Sequence, residues 1–70
     1  MKNVESYMIS DIDDINYMLK LEPQIKQYQD EIIKYCDYIL EMFSYCYVDV
    51  SDKLIYIYHS NYGNHKIFLN

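Results

Sequence analysis

Residues 39–50 read Ile39-Leu40-Glu41-Met42-Phe43-Ser44-Tyr45-Cys46-Tyr47-Val48-Asp49-Val50, and within them the hydrophobic period changes. Up to Phe43 the apolar residues recur at helical spacing. From Tyr47 they alternate, as in a strand with one buried face. A chain that makes this switch once, with helices before it and strands after it, belongs to the α+β class.

Upstream of the switch, the spacing predicts a helix over residues 23–45. Ile25, Tyr28, Ile32, Ile33, Tyr35, Cys36, Ile39, Leu40, Met42, Phe43 and Cys46 share one half of its wheel. So wide a stripe can hold a second helix on one flank and a sheet on the other. Ile32, Ile39, Leu40 and Phe43 are the expected core, while Asp37, Tyr38, Glu41 and Tyr45 fall on the polar half. Pro23 biases Glu22 away from helical angles and suits a first helical turn, so it separates this helix from an earlier one. The earlier helix starts around Ser10-Asp11-Ile12-Asp13, where the carboxylates of Asp11, Asp13 and Asp14 favour the first turn. Val4 and Met8 share a stripe with Ile12, Ile15 and Leu19, which favours a long helix beginning after Asn3 over a short leading strand. Asp13, Asp14 and Tyr17 lie on its polar arc.

Downstream, residues 47–50 form a short strand and Ser51-Asp52 a turn. Residues 54–59, rich in β-branched and aromatic side chains, form a second strand. Residues 60–64 hold the only glycine and loop back to a closing strand over residues 65–69. With His59 opposite His65, Ile57 meets Ile67 and Ile55 meets Leu69 on an aliphatic face. Tyr58 then meets Lys66, and Tyr56 meets Phe68, on an aromatic one. A two-residue turn at Ser51-Asp52 also sets Val48 opposite Ile55. The expected architecture is one small α+β domain over residues 1–70. Two antiparallel helices precede a two- or three-stranded antiparallel β-meander packed on the second.

The 70 residues include ten tyrosines and eleven carboxylates, with six lysines and no Arg, Trp, Ala or Thr. Ile, Asn, Lys and Tyr have AT-rich codons, so base composition accounts for part of this bias. A chain this short buries only about 60% of its extended surface, so a second copy would add stability. All eleven acids lie in the first 52 residues beside four lysines, a net charge of −7; residues 53–70 carry two lysines, two histidines and no acid. Such a body repels nucleic acid and favours basic partners. Without arginine it lacks the side chain most used to grip phosphate and bases.

Cys36 and Cys46, placed on one helix, stand roughly 15 Å apart, too far to bridge. They are expected as reduced thiols in a cytoplasm. No basic segment followed by an apolar run opens the chain, and no stretch is long and apolar enough to span a membrane. Asp11, Asp13 and Glu22 lack the oxygen ligand and glycine of a calcium loop. The cysteines lack the close spacing of a zinc knuckle, although His59 and His65 could meet across the hairpin. No phosphate loop or H-E-x-x-H motif occurs. No catalytic, cofactor or metal site is expected.

Two surfaces remain. An apolar face of Tyr47, Tyr56, Tyr58 and Phe68 lies on the side of the sheet away from the helices, where it marks a partner or a second copy. An acidic helical surface combines Asp13, Asp14 and Tyr17 with Asp37, Tyr38, Glu41 and Tyr45. The expected function is a non-enzymatic, protein-binding inhibitor that occludes a basic, nucleic-acid-binding surface of a larger host protein. In size, charge and tyrosine content the chain is similar to phage-encoded inhibitors of host defence, such as anti-CRISPR or anti-restriction proteins, although no motif matches a family. The alternative is a homodimeric structural or regulatory module using the aromatic sheet face. A single-strand nucleic-acid platform of Tyr56, Tyr58, Tyr62 and Lys66 is disfavoured by the overall charge.

Overall fold

The change of period marks the point where the chain leaves its last helix and enters a sheet. The computed structural model describes residues 3–70, except for the side chains of residues 63 and 64. In order, the elements are β1 (Glu5–Ile9), α1 (Ile12–Leu21), a 3-10 segment (Pro23–Tyr28), α2 (Gln29–Leu40), β2 (Cys46–Val50), β3 (Leu54–His59) and β4 (Tyr62–Phe68). The strands form one antiparallel sheet in the order β1-β2-β3-β4. Both helices cover one face of it, so the class is α+β with four strands instead of two or three.

The fourth strand is β1, where the sequence favoured an extension of the first helix. Its partner lies some forty residues downstream, with Tyr7 opposite Val48 and Ile9 opposite Cys46. Residues 1 and 2, ahead of the expected helix, lie outside the described residues. The stripe of Val4, Met8 and Ile12 was a coincidence of spacing. Met8 stands 60% exposed on the open face of the sheet and Ile12 is 49% exposed. What β1 buries is its odd-numbered side, Ile9 fully and Tyr7 in part.

α1 starts with mutual capping. The Asp14 N–H donates to Asp11 Oδ1 at 3.2 Å, and the Ser10 N–H donates to Asp14 Oδ2 at 2.8 Å. The Asp14 donor that the helix leaves unpaired and the Ser10 donor just ahead of the cap are thereby satisfied. The second helix is shorter than its apolar stripe implied. Pro23 opens a tight 3-10 segment, and regular α-helix begins at Gln29. At the far end the N–H groups of Met42 and Phe43 both turn back to the Ile39 carbonyl, at 3.0 and 2.8 Å. Tyr45 and Cys46 therefore leave the helix, and Cys46 opens β2.

The core gathers Ile15, Met18 and Leu19 of α1, Ile25, and Ile32, Cys36 and Ile39 of α2 against Ile9, Cys46, Val48, Val50, Ile55, Ile57 and Ile67 of the sheet. Each large aliphatic side chain so buried contributes about 1.5–3 kcal/mol. Of the four expected core positions, Ile32 and Ile39 are buried, while Leu40 and Phe43 pack partly exposed at the margin.

Both hairpins pair two residues away from the expected register. Ile55 meets Ile67, Tyr56 meets Lys66, Leu54 meets Phe68 and Val48 meets Ile57. A shift of two preserves every residue's face, so the aliphatic and aromatic sides stand as the alternation implied. The cause lies in the turns. β4 begins at Tyr62, opposite His59, so the reversal needs only Ser60 and Asn61, with an irregularity at Tyr58/His59. His59 Nδ1 accepts the Asn61 N–H at 3.0 Å and satisfies the tight turn.

Candidate functional site: two opposed interaction surfaces

Strand alternation puts Tyr47 and Asp49 of β2, Leu54, Tyr56 and Tyr58 of β3, and Lys66 and Phe68 of β4 on the open face. Met8 and Ser6 of β1 extend it. The rings support one another. Tyr47 and Tyr58 lie 5.5 Å apart, and Tyr58 stacks on Tyr56 at 4.6 Å. Lys66 Nζ sits 5.5 Å from the Tyr56 ring centre, within cation–π range. The Tyr58 hydroxyl donates to Asp49, 3.3 Å from Oδ2. Burial and the neighbouring Asp49 charge both raise the Tyr58 pKa above the ordinary phenol value. The three tyrosines are half-buried by these contacts, whereas Phe68 is 69% exposed.

The four aromatic residues expected on this face are all there. Lys66, expected on the aromatic side, is there as well, and Met8, Leu54 and Asp49 join it without having been expected. Met8 had been assigned to a helix, and Asp49 acquires meaning only from its cross-strand neighbours. Tyr62 is absent from this face. It pairs with His59 and lies 6.1 Å from Phe43 on the helical side, so the proposed stacking platform is not assembled.

The acidic residues are gathered by topology. Ile9 pairs with Cys46, so the start of α1 and the end of α2 lie at the same end of the sheet. That end brings Asp11, Asp13 and Asp14 toward Asp37 and Glu41. Their roles differ. Asp11 and Asp14 are engaged in capping α1. Asp13, Asp37 and Glu41 are exposed, as are Tyr17 and Tyr38. Tyr45 is not on the helical arc where the sequence placed it. Because α2 ends at Leu40, Tyr45 lies in the connection to β2, half-buried and 4.7 Å from the His59 ring. Phe43 stacks on His59 at 3.9 Å. Phe43, Tyr45, His59 and Tyr62 form an aromatic cluster at the same end of the sheet. An edge contact of 5.4 Å from Tyr45 to Tyr47 connects that cluster to the open face.

Other carboxylates serve the fold. Glu31 pairs with His65 Nε2 at 2.9 Å, and His65 stacks on Tyr35 at 3.5 Å. Glu22 accepts from the Tyr7 hydroxyl at 2.6 Å and from Gln24 at 2.9 Å. Burial and this bond hold the Tyr7 hydroxyl well above the usual phenol range. Glu22 also lines an open cleft of about 270 Å³ with Glu5 and Asp52, at the end of the sheet opposite the α1 start.

Cys36 and Cys46 are neighbours, not 15 Å apart, because Cys46 lies on β2 beneath α2. Both are fully buried and unbridged. Hydrogen bonding to Cys46 and burial push the Cys36 thiol far above the ordinary range, so it stays protonated. Among the described residues, no three His, Cys, Asp or Glu side chains converge as a metal ion requires, and no helix is long and apolar enough to cross a membrane. His59 and His65 do not meet: His59 lies opposite Tyr62, and His65 lies opposite Ile57.

The chain matches no protein-family model, no curated protein and no solved structure.

Proposed function

We propose that this protein is a non-enzymatic binding module whose acidic end occupies a basic, nucleic-acid-binding surface of a larger host protein. Asp13, Asp37 and Glu41 would meet lysines and arginines of the target, while Tyr17, Tyr38 and Tyr45 supply stiff contact area with polar tips. Direct binding of nucleic acid runs against a net charge of −5 and the absence of arginine. The biological setting that suits this mode is anti-defence inhibition by a phage protein in the host cytoplasm.

One observation carries the reading. α2 ends in Asp37 and Glu41 with no basic residue in its last turn. Negative charge there opposes the helix dipole at about 0.3–1 kcal/mol per group. The start of α1, by contrast, is stabilised by its acids. The fold therefore accounts for Asp11 and Asp14 but gains nothing from Asp37 and Glu41, which stand beside the exposed ring of Tyr38. A cation on the target would offset that cost, which is what supports the reading.

The test begins with affinity capture from a low-GC bacterial lysate, followed by binding measurements on the captured protein. Association should slow as salt rises, and Asp37→Lys with Glu41→Lys should abolish most of the steering. Truncating Tyr38 or Tyr45 should mainly speed dissociation. DNA or RNA should compete for the target. A target that holds nucleic acid and this protein together, at undiminished affinity, rules out occlusion.

A further inference from the structure

The open sheet face has a charge arrangement unlike the rest of the surface. On a chain of net charge −5, its strands present, among the described residues, one acid, Asp49, and one base, Lys66. They lie in a single cross-strand row, Ser6–Asp49–Tyr56–Lys66, with Tyr56 between them. Two strand spacings, about 9.6 Å, separate their backbones. The Lys66 ammonium lies over the Tyr56 ring, and the Asp49 carboxylate accepts from the Tyr58 hydroxyl. The next row has a shape to match. Phe68 projects from β4, opposite Leu54. On the other side of Tyr56 the face sinks into a groove of about 190 Å³ lined by Val4, Asp49, Ser51, Leu54 and Tyr56.

We propose that this face binds the same face of a second copy, about a two-fold axis parallel to the strands and passing over Tyr56. That rotation lays Tyr56 on the partner's Tyr56 and exchanges β2 with β4. Lys66 then stands over the partner's Asp49, and Asp49 over the partner's Lys66. Phe68, one row along β4, falls on the partner's groove beside Leu54. Charge and shape are thus both satisfied by one operation, and each contact occurs twice, as an isologous interface requires. A two-fold axis across the strands would instead set Lys66 on Lys66 and Asp49 on Asp49.

The second copy is also the occupant that the charge favours. Two bodies of net charge −5 repel wherever their acidic surfaces meet, but this face is neutral and its two charges are complementary under rotation. A partner of one sign would leave Asp49 or Lys66 facing a like charge. Three strands by five residues give a footprint of about 14 by 17 Å on each copy. That is below the size of a stable interface, so the dimer is a weak, transient one that forms only at high protein concentration. The contact lies on the sheet side, apart from the acidic end. A dimer would carry two acidic ends and could engage a repeated target bivalently.

The experiment is sedimentation equilibrium over a concentration series, with circular dichroism and melting curves as fold controls. Asp49→Lys and Lys66→Asp should each weaken self-association about tenfold or more, equivalent to about 1.4 kcal/mol. Mixed in equal amounts, the two variants should associate with each other as strongly as the native chain does with itself, because every cross-copy pair is restored. Phe68→Ala should weaken the dimer without any such rescue. A native chain that stays monomeric to millimolar concentration overturns the proposal. So does a dimer indifferent to both reversals, or a mixture that fails to recover. A monomeric chain that binds some other protein, and loses it on Phe68→Ala, assigns the face to that protein and overturns the second-copy reading.

Discussion

Tyr7 shows how a single residue ties β1 to the start of the 3-10 segment. Its hydroxyl donates to Glu22 at 2.6 Å, and both burial and that bond favour the neutral phenol. A group whose folded pKa is raised stabilises the fold fully below its unfolded value and loses that contribution as pH climbs toward the folded one. Stability should therefore fall as pH rises past about 10, the ordinary tyrosine value. Tyr7→Phe should cost about 1 kcal/mol at neutral pH and flatten that alkaline decline. Urea unfolding of both proteins across the alkaline range measures it, and equal slopes would sink the assignment. A second contrast separates local spacing from real burial. Ile32 and Ile12 both occupy apolar helical stripes, yet Ile32 is fully buried and Ile12 is 49% exposed. Ile32→Ala should cost about 2–5 kcal/mol, enough to unfold a domain of this size. Ile12→Ala should stay within about 0.5 kcal/mol.

At the scale of elements, the two helix ends predict opposite responses to loss of acid. Asp11 caps α1 through the Asp14 N–H, so Asp11→Ala should destabilise by about 0.5–2 kcal/mol. Asp37 and Glu41 oppose the dipole of α2, so reversing both to Lys should leave stability unchanged or raise it by about 1 kcal/mol. Thermal melts test both. If the reversals instead destabilise the fold, Asp37 and Glu41 are structural and the reason given for an external cation disappears. The strands behave differently because each stands or falls with its neighbours. β1 is an edge strand joined to the sheet through β2 alone, and β4 closes the other edge. The sheet depends on a pairing that spans both helices.

At the scale of the whole molecule, the helices shield one side of the sheet and leave the other free. Cys36 and Cys46 meet in the shielded layer, fully buried. A thiol reagent should label both only as fast as the whole structure opens, with the rate rising in proportion to the unfolded population under mild denaturant. Labelling in the native state at the speed of an exposed thiol would show that α2 detaches from β2 independently. The same layering puts the acidic end and the aromatic face on separate surfaces, joined through Tyr45 and Tyr47. Charge reversals at Asp37 and Glu41 should therefore leave self-association intact. Reversals at Asp49 and Lys66 should leave salt-dependent target binding intact.

Local chemistry alone determined much of this. The helical stripe of Ile25, Ile32, Cys36 and Ile39, the switch to alternation after Phe43, and the division of β3 and β4 into aliphatic and aromatic sides were all legible. Each depends on neighbours within a few residues, and an error of two in register preserves the side on which a residue points. The identity of residues 5–9 was not legible, since their alternation is too short to outweigh a chance helical stripe. Only the contact of Tyr7 with Val48 and Ile9 with Cys46 makes them a strand. The neighbouring thiols, the departure of Tyr45 from the helix and the Asp49–Tyr56–Lys66 row have the same origin. They are set by which distant segments pair, and pairing is decided by the burial of the whole core, which no local period contains.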